Sequence, residues 1–415
     1  MKRILRYLLF LSVLAVMVSC EKDDNDVNVN KAIYQKMQDW YFWYDQLPSV
    51  ELNDYSNPSG LMDALRVNPP DREWSYVTTR EEFEAYYNGG AYVGFGFGSG
   101  WDAQGNLYIL FVYKNSPLYQ VGIRRGWQIL TIDGQTPTTS NYSSLIGAND
   151  AGITKMFKVK SPEGVEYTYT FSKGEIDMNT VLLDTVYTYG TSRIGYLVLE
   201  SFINNTADEL DNVFTKFKNQ RVTDLIVDLR YNGGGTVLVA WQLANYLGGN
   251  VAYGKIFGTF YYNDKHQNEN SSMLFSSEHL SLTLNRVVFI TTSSTASASE
   301  LVINGLKPFI GVTLVGSTTH GKPVGMNAFY IDDWVLLPVT FTIRNANNEG
   351  DYFDGIPVDI QASDDITTMF GDPTEASLNA ALAYLGVSVK SPNVKGYSPV
   401  LVPERKGLYA EIGAW

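Results

Sequence analysis

The chain has 415 residues, of which 45% are hydrophobic and 18% charged, with a formal net charge of −13 and a single cysteine. That length allows two or three globular domains, and one cysteine means that their stability rests on apolar cores rather than disulfides. The acidic balance excludes nucleic acid and anionic lipid as partners bound by charge.

The first residues, MKRILRYLLFLSVLAVMVSC, place Lys2, Arg3 and Arg6 before a mostly apolar run from Tyr7 to Val18 and then Ser19-Cys20. A basic start, a short apolar stretch and a small-residue cleavage zone predict a secretory signal over residues 1–19. The apolar run is well short of the roughly 20 residues that a spanning helix needs. Val18-Ser19-Cys20 resembles a bacterial lipobox, which implies lipidation at Cys20 and cleavage before it. The acidic, apolar-poor stretch that follows reads as a tether over residues 20–30. Within it, Lys22-Asp23-Asp24 resembles the surface-export signal of some Gram-negative lipoproteins. The expected location is therefore the bacterial outer membrane, on its periplasmic face or at the cell surface, with the lipid anchor as the only membrane contact.

Residues 31–89 are expected to form a helical region. Trp40, Tyr41, Phe42, Trp43 and Tyr44 read as packing residues rather than a cofactor box, with Pro48 ending the segment. Thr79 followed by Glu82 predicts the start of a helix.

From residue 90 to about 175 the texture changes to short strands and glycines. YVGFGFGSG spaces its glycines strictly by two, which is not the dinucleotide fingerprint. NLYILFVY predicts a strand, Ser116-Pro117 a helix start, ILTI a strand and Asp133-Gly134 a turn. This stretch resembles the PDZ domains of bacterial proteases, with Trp127 where such domains usually carry Asp. The resemblance implies that Tyr92, Val93, Gly94, Phe95 and Gly96 form a loop whose amides bind the end of a peptide.

Residues 176–390 alternate strands and helices, the pattern of an α/β domain, and residues 391–415 are read as a C-terminal extension. GYLVLESF, LIVDLR and NRVVFITT predict buried strands. TADELDNVFTKFKNQ predicts an amphipathic helix with Leu210, Val213, Phe214 and Phe217 inward. Three loops follow buried strands: NGGG at 232–235, TASASE at 295–300 and THGKPVG at 319–325. Strand ends are where open α/β folds bind ligands.

The middle loop crowds Ser293, Ser294, Thr295, Ser297 and Ser299 ahead of an apolar run. A serine hydroxyl becomes an effective nucleophile when a neighbouring base takes its proton. A lysine can be that base only when neutral, and burial favours the neutral form. Lys322, flanked by Gly321 and Pro323, has the small and apolar surroundings that such burial requires.

TASASE and HGKP together resemble the catalytic motifs of the C-terminal processing peptidases, also called tail-specific proteases. The resemblance implies Ser297 as nucleophile, Lys322 as base and Glu300 as the residue that orients them. LIVDLRYNGGGT resembles the same family's glycine loop, which implies an oxyanion hole from the amides of Gly233 or Gly234 and Ala298. FDGIPVDI at 353–360 and MQDWYFWYDQLPSV extend the likeness to most of residues 31–390. The fold class that follows is multidomain α+β: a helical N-terminal region, a PDZ-like β-rich domain and an α/β catalytic domain similar to the ClpP/crotonase core. The function that follows is an exported lipoprotein serine endopeptidase acting on unfolded or C-terminal peptide segments.

Other readings remain open on the sequence. In one, Ser297 merely caps the helix that follows and Lys322 is solvated. A Ser-His-Asp triad would have to draw on His266, His279 or His320. The NGGG loop lacks the Gly-Lys-Ser/Thr of a phosphate loop, and no His/Cys/carboxylate grouping has metal-ligand spacing, so no cofactor or metal is expected. A peptide-binding accessory lipoprotein of the cell envelope, with the fold but little or no turnover, is the alternative from another class.

Overall fold

A computed structural model of the chain describes residues 28–389 and 400–415. The expected signal, the lipidation site Cys20, the Lys22-Asp23-Asp24 cue and the start of the C-terminal extension lie outside the described residues. The chain is a mixed α+β protein built around a six-stranded sheet.

That sheet runs in the order Ile360–Gln361, Gly311–Gly316, Arg286–Thr291, Asp224–Asp228, Ser192–Leu199 and Val181–Tyr189. Neighbours pair in parallel except for the last two strands, which are antiparallel. Leu225, Val227, Val287 and Phe289 face a core with the helices Asn204–Asn219, Val237–Ala252 and Ala298–Leu306. Ile226, Val288 and Ile290 face the opposite side, against Leu378, Ala381 and Leu382 of the helix Ala376–Tyr384. Strands covered on both faces need apolar residues at successive positions, which is why these segments read as unbroken apolar runs.

The β-rich unit is a five-stranded antiparallel sheet from Phe97 to Ser172, with the pair Ala91–Gly94 and Gly174–Asp177 beside it. It therefore ends at Asp177, slightly beyond the expected limit of 175. Ser116 caps the short helix Pro117–Gln120 by accepting the Tyr119 amide at 3.1 Å.

The N-terminal region carries the helices Val29–Trp40, Pro58–Leu65 and Arg80–Glu84. Its first helix stops at Trp40, ahead of Pro48. Tyr41 turns inward and donates its hydroxyl to Asp71 at 2.9 Å, while the Phe42 amide donates to the Val339 carbonyl at 2.8 Å. The Tyr41 amide still donates to the Met37 carbonyl at 3.2 Å, and at Phe42 the tertiary bond takes the place of the helical one. The strand Tyr76–Thr79 pairs antiparallel with Trp334–Leu337, which joins this helical region to the later part of the chain. No helix among the described residues is long and apolar enough to cross a membrane.

Candidate active site

The central strand Arg286–Thr291 delivers the serine-rich loop to the top of the sheet. Its hydroxyls sort by environment. Thr295 is buried and donates to the Leu229 carbonyl at 2.7 Å, and Ser299 is buried and donates to the Asn232 carbonyl at 3.1 Å. Both serve the scaffold. Ser297 is half-buried at the turn into the helix Ala298–Leu306, with φ +53° and ψ −113°. A non-glycine residue pays roughly 1–3 kcal/mol for such a conformation, so the surroundings must hold it there.

Glu300 does the holding. Its Oε2 accepts the amides of Ser297 at 2.9 Å and Lys322 at 2.8 Å. Its Oε1 accepts the Thr319 hydroxyl at 2.5 Å and the Gly321 amide at 2.7 Å. The carboxyl is fully buried, and burial pushes it above its ordinary range against the opposing pull of these donors. One side chain thus ties the serine loop to the lysine loop. Thr319 continues the connection, because its hydroxyl accepts the Ile356 amide at 2.7 Å from the FDGIPVDI segment.

The glycine loop lies against Ser297. A Cβ on Gly234, whose φ is +119°, would sit 2.8 Å from the Ser297 Cβ and 3.2 Å from the Ala298 nitrogen. Only glycine fits that approach. The Gly234 amide donates to the Asn232 side chain at 2.9 Å. Among the described residues, the amides of Gly233 and Ala298 donate to no protein acceptor.

Below this loop Arg230 is buried with three carboxylates. It donates to Asp228 at 2.7 Å, to Asp364 at 2.8 Å and to Glu375 at 2.9 Å and 3.0 Å. Arg125, from the β-rich unit, meets the same Asp364 at 2.6 Å.

Lys322 is buried, and the carboxylate nearest its ammonium is Glu411 Oε1 at 3.7 Å. The small, apolar surroundings expected from its sequence neighbours therefore omit an acid brought from far along the chain. His320 lines the same loop: its amide donates to the Thr295 carbonyl at 2.9 Å, and its Nε2 accepts the Trp74 indole at 3.4 Å. Burial, and then Lys322, holds its ring below the ordinary histidine range. With Nε2 directed at Trp74, His320 does not form the triad considered above. His266 stacks on Trp40 and meets Asp39 at 3.1 Å. Among the described residues no group of histidine, cysteine and carboxylate side chains could hold a metal ion.

Of the residues expected to bind a peptide, Tyr92, Phe95 and Gly96 meet one main-chain oxygen together with Phe97, and Val93 and Gly94 do not. The amides of Phe95, Gly96 and Phe97 converge on the main-chain oxygen of Trp415 at 2.8, 2.6 and 3.3 Å, and the Tyr92 hydroxyl joins them at 3.2 Å. Val93 and Gly94 belong to a strand paired with Glu175 and Gly174. Gly94 matters by its lack of a side chain, since a Cβ there would lie 2.8 Å from the Trp415 carbonyl carbon.

Two things escaped sequence reasoning: the partners of Arg230, more than a hundred residues away for Asp364 and Glu375, and the course of residues 400–415. The Asp-Leu-Arg run signalled that a buried arginine needs carboxylates, without saying which. Nothing local to Glu411 marks it as a neighbour of Lys322.

Two family models match the chain, one described as peptidase family S41 over residues 193–362 and one as the peptidase S41 N-terminal domain over residues 28–76. The carboxy-terminal processing protease CtpA of Bacillus subtilis is 24% identical over 247 residues, covering 58% of this chain and 49% of that protein. The carboxyl-terminal-processing protease of a Picosynechococcus species is 27% identical over 246 residues, covering 56% of this chain and 55% of that protein. The matched part thus spans about half the length of these relatives. The crystal structure of a putative S41 protease from Bacteroides fragilis has the same fold, with a TM-score of 0.69 and 24% identity over 86% of this chain and 97% of that one.

Proposed function

The chain belongs to peptidase family S41, and from that premise we propose that it is a serine endopeptidase in which Ser297 is the nucleophile and Lys322 its base. The observation that carries this reading is the shared Glu300 oxygen, which accepts the amides of both residues. A carboxylate so placed sets the position of both reacting groups against one rigid reference, which is the requirement for a near-attack geometry.

In the proposed reaction the Ser297 hydroxyl oxygen bonds to the peptide carbonyl carbon while its proton passes to the Lys322 amine. The negative oxygen that forms takes hydrogen bonds from Gly233 and Ala298, the two amides left without a protein acceptor. The C–N bond then breaks, and the departing amine takes the proton from Lys322. Water attacks the acyl-serine, gives its proton to Lys322, and Ser297 recovers its hydrogen as the carboxylic product leaves. Gly234 contributes by keeping the space beside Ser297 clear. Removal of one oxyanion donor typically costs about 2.7–4 kcal/mol of transition-state stabilisation.

Peptide or protein segments are the proposed substrates, gripped by the amides of Phe95, Gly96 and Phe97. Export, with lipidation at Cys20, is proposed from the N-terminal sequence alone. Growth with labelled palmitate tests it: the label enters the parent chain and is absent from Cys20→Ser.

A peptide-binding accessory without turnover is the second reading, favoured by the Glu411 carboxylate beside Lys322. A serine-directed fluorophosphonate separates the two, with the modified site mapped by mass spectrometry. Modification of Ser297, lost in Lys322→Ala, supports the peptidase. An unmodified Ser297 in the parent and in Glu411→Gln supports the accessory.

A further inference from the structure

Residues 400–415 bridge the PDZ-like unit and the catalytic loops, with specific contacts at both ends. At one end Leu401 pairs with Trp101 through bonds of 2.8 and 3.0 Å, and the Trp415 amide donates to Phe97 at 2.8 Å. The Trp415 oxygen occupies the nest of three amides described above. At the other end Glu411 faces Lys322 and accepts the Tyr87 hydroxyl, while its carbonyl accepts the Tyr86 hydroxyl at 3.1 Å. The Ala410 carbonyl lies 3.5 Å from where a Gly233 Cβ would be. The segment thus runs past the peptide loop, the proposed base and one proposed oxyanion donor.

The segment is held by apolar burial: Leu408, Ile412, Ala414 and Trp415 are all buried. Its polar groups are poorly matched by comparison. Among the described residues, Arg405 Nε and Nη2, Trp415 Nε1 and the Glu200 Oε1 beneath Gly413 are buried without a hydrogen-bond partner, although the Arg405 guanidinium lies 4.6 Å from the centre of the Trp415 ring. Unpaired buried groups weaken a seat without abolishing it. This is the profile of an occupant that a better-matched chain can replace.

We propose that residues 400–415 are a built-in ligand of the peptide site, with Trp415 in the amide nest and Glu411 on Lys322, and that a peptide bearing an aromatic residue in the Trp415 position displaces them to open the site. A salt-bridged ammonium has no lone pair with which to take a proton from a hydroxyl. The consequence for catalysis rests on the Ser297–Lys322 reading, whereas the docking itself does not.

The test compares the full chain with Trp415→Ala and Glu411→Gln. Hydrogen exchange reads the Phe95, Gly96 and Phe97 amides, and cleavage of an unfolded protein reads activity. The expected result is loss of amide protection in Trp415→Ala, its retention in Glu411→Gln, and faster cleavage in both by at least about fivefold, the lower end of ordinary coupling between sites. A synthetic peptide of residues 408–415 restores protection and slows cleavage in Trp415→Ala. Unchanged protection in Trp415→Ala overturns the docking, and lost protection without faster cleavage overturns the control of activity. If no form cleaves, acylation of Lys322 by an amine-reactive ester decides: a rise of at least about fivefold in Trp415→Ala supports the shielding, and no rise overturns it. Adding Ser297→Ala to Trp415→Ala separates the two ideas. Persistent cleavage there refutes the dyad whatever the segment does, and persistent loss of protection supports the docking whatever the dyad does.

Discussion

Ser297 and Lys322 donate their main-chain amides to a single atom, Glu300 Oε2, at 2.9 and 2.8 Å. The strained turn of the proposed nucleophile and the loop of the proposed base are therefore fixed by one buried carboxylate rather than by separate networks. This makes Glu300 a positioning residue whose importance comes from acceptor count. It has four donors to satisfy, two on each oxygen.

Replacing Glu300 with glutamine keeps the shape and turns one acceptor oxygen into an NH2 group facing two donors. The expected cost is about 1–3 kcal/mol in stability for the unpaired groups. Activity should fall by about a hundredfold, the usual scale for misplacing reacting groups by an ångström. Steady-state kinetics check it, with the loss expected in kcat and little change in KM. A loss confined to KM would assign Glu300 to substrate binding instead.

Gly234→Ala addresses the other wall of the site. Its Cβ would lie 2.8 Å from the Ser297 Cβ, at a backbone φ of +119°. The variant should lose about 1–3 kcal/mol of stability from strain, and activity well beyond that of a variant equally destabilised elsewhere. Thermal melting beside the cleavage rate separates the two effects.

Arg230→Met would leave Asp228, Asp364 and Glu375 buried without their shared cation. Breaking a buried pair by removing one partner costs about 3–5 kcal/mol, so this variant should show one of the largest drops in melting temperature among single changes in the catalytic part. Because Asp364 also meets Arg125 of the β-rich unit, the loss should extend to the contact between the two regions. Faster hydrogen exchange around Arg125 would report it.

Local pattern carried the fold far. The runs Leu225–Val227 and Val287–Ile290 are apolar at every position because both faces of their sheet are covered, and a short window detects that. The glycine, serine and lysine loops could be read because each follows such a strand. What a window cannot hold is distance along the chain. The first helix ends at Trp40 as the Phe42 amide turns to the distant Val339 carbonyl, and Glu411 reaches Lys322 through a segment with no recognisable motif. The choice of Ser297 over Thr295 and Ser299 likewise came from resemblance, since no local pattern tells that those two hydroxyls are bonded to backbone carbonyls.

Glu200 gives a pH dependence with a definite sign. Burial, opposed by the Tyr113 hydroxyl bond and by Arg405 and reinforced by Glu209, pushes its carboxyl up from 4.5 to about 8. Tyr86 and Tyr92 also face it. The folded chain keeps the proton that the unfolded chain has released. Its contribution is therefore fully present below about pH 4.5, falls as pH rises, and is lost above about pH 8. Because Gly413 lies over this carboxyl, the docked segment should exchange hydrogen faster across that window, and Glu200→Gln should flatten the trend. An unchanged slope in Glu200→Gln would place its origin in another group.

The most direct measurement of the central claim is the cleavage of one unfolded protein by the full chain, by Ser297→Ala and by Lys322→Ala, with fragments identified by mass spectrometry and Trp415→Ala carried in all three to expose the site. The account predicts a defined set of fragments from the form that retains Ser297 and Lys322, and none from the other two, although all three remain folded. Equal cleavage by all three would contradict it, since the activity would then come from neither residue.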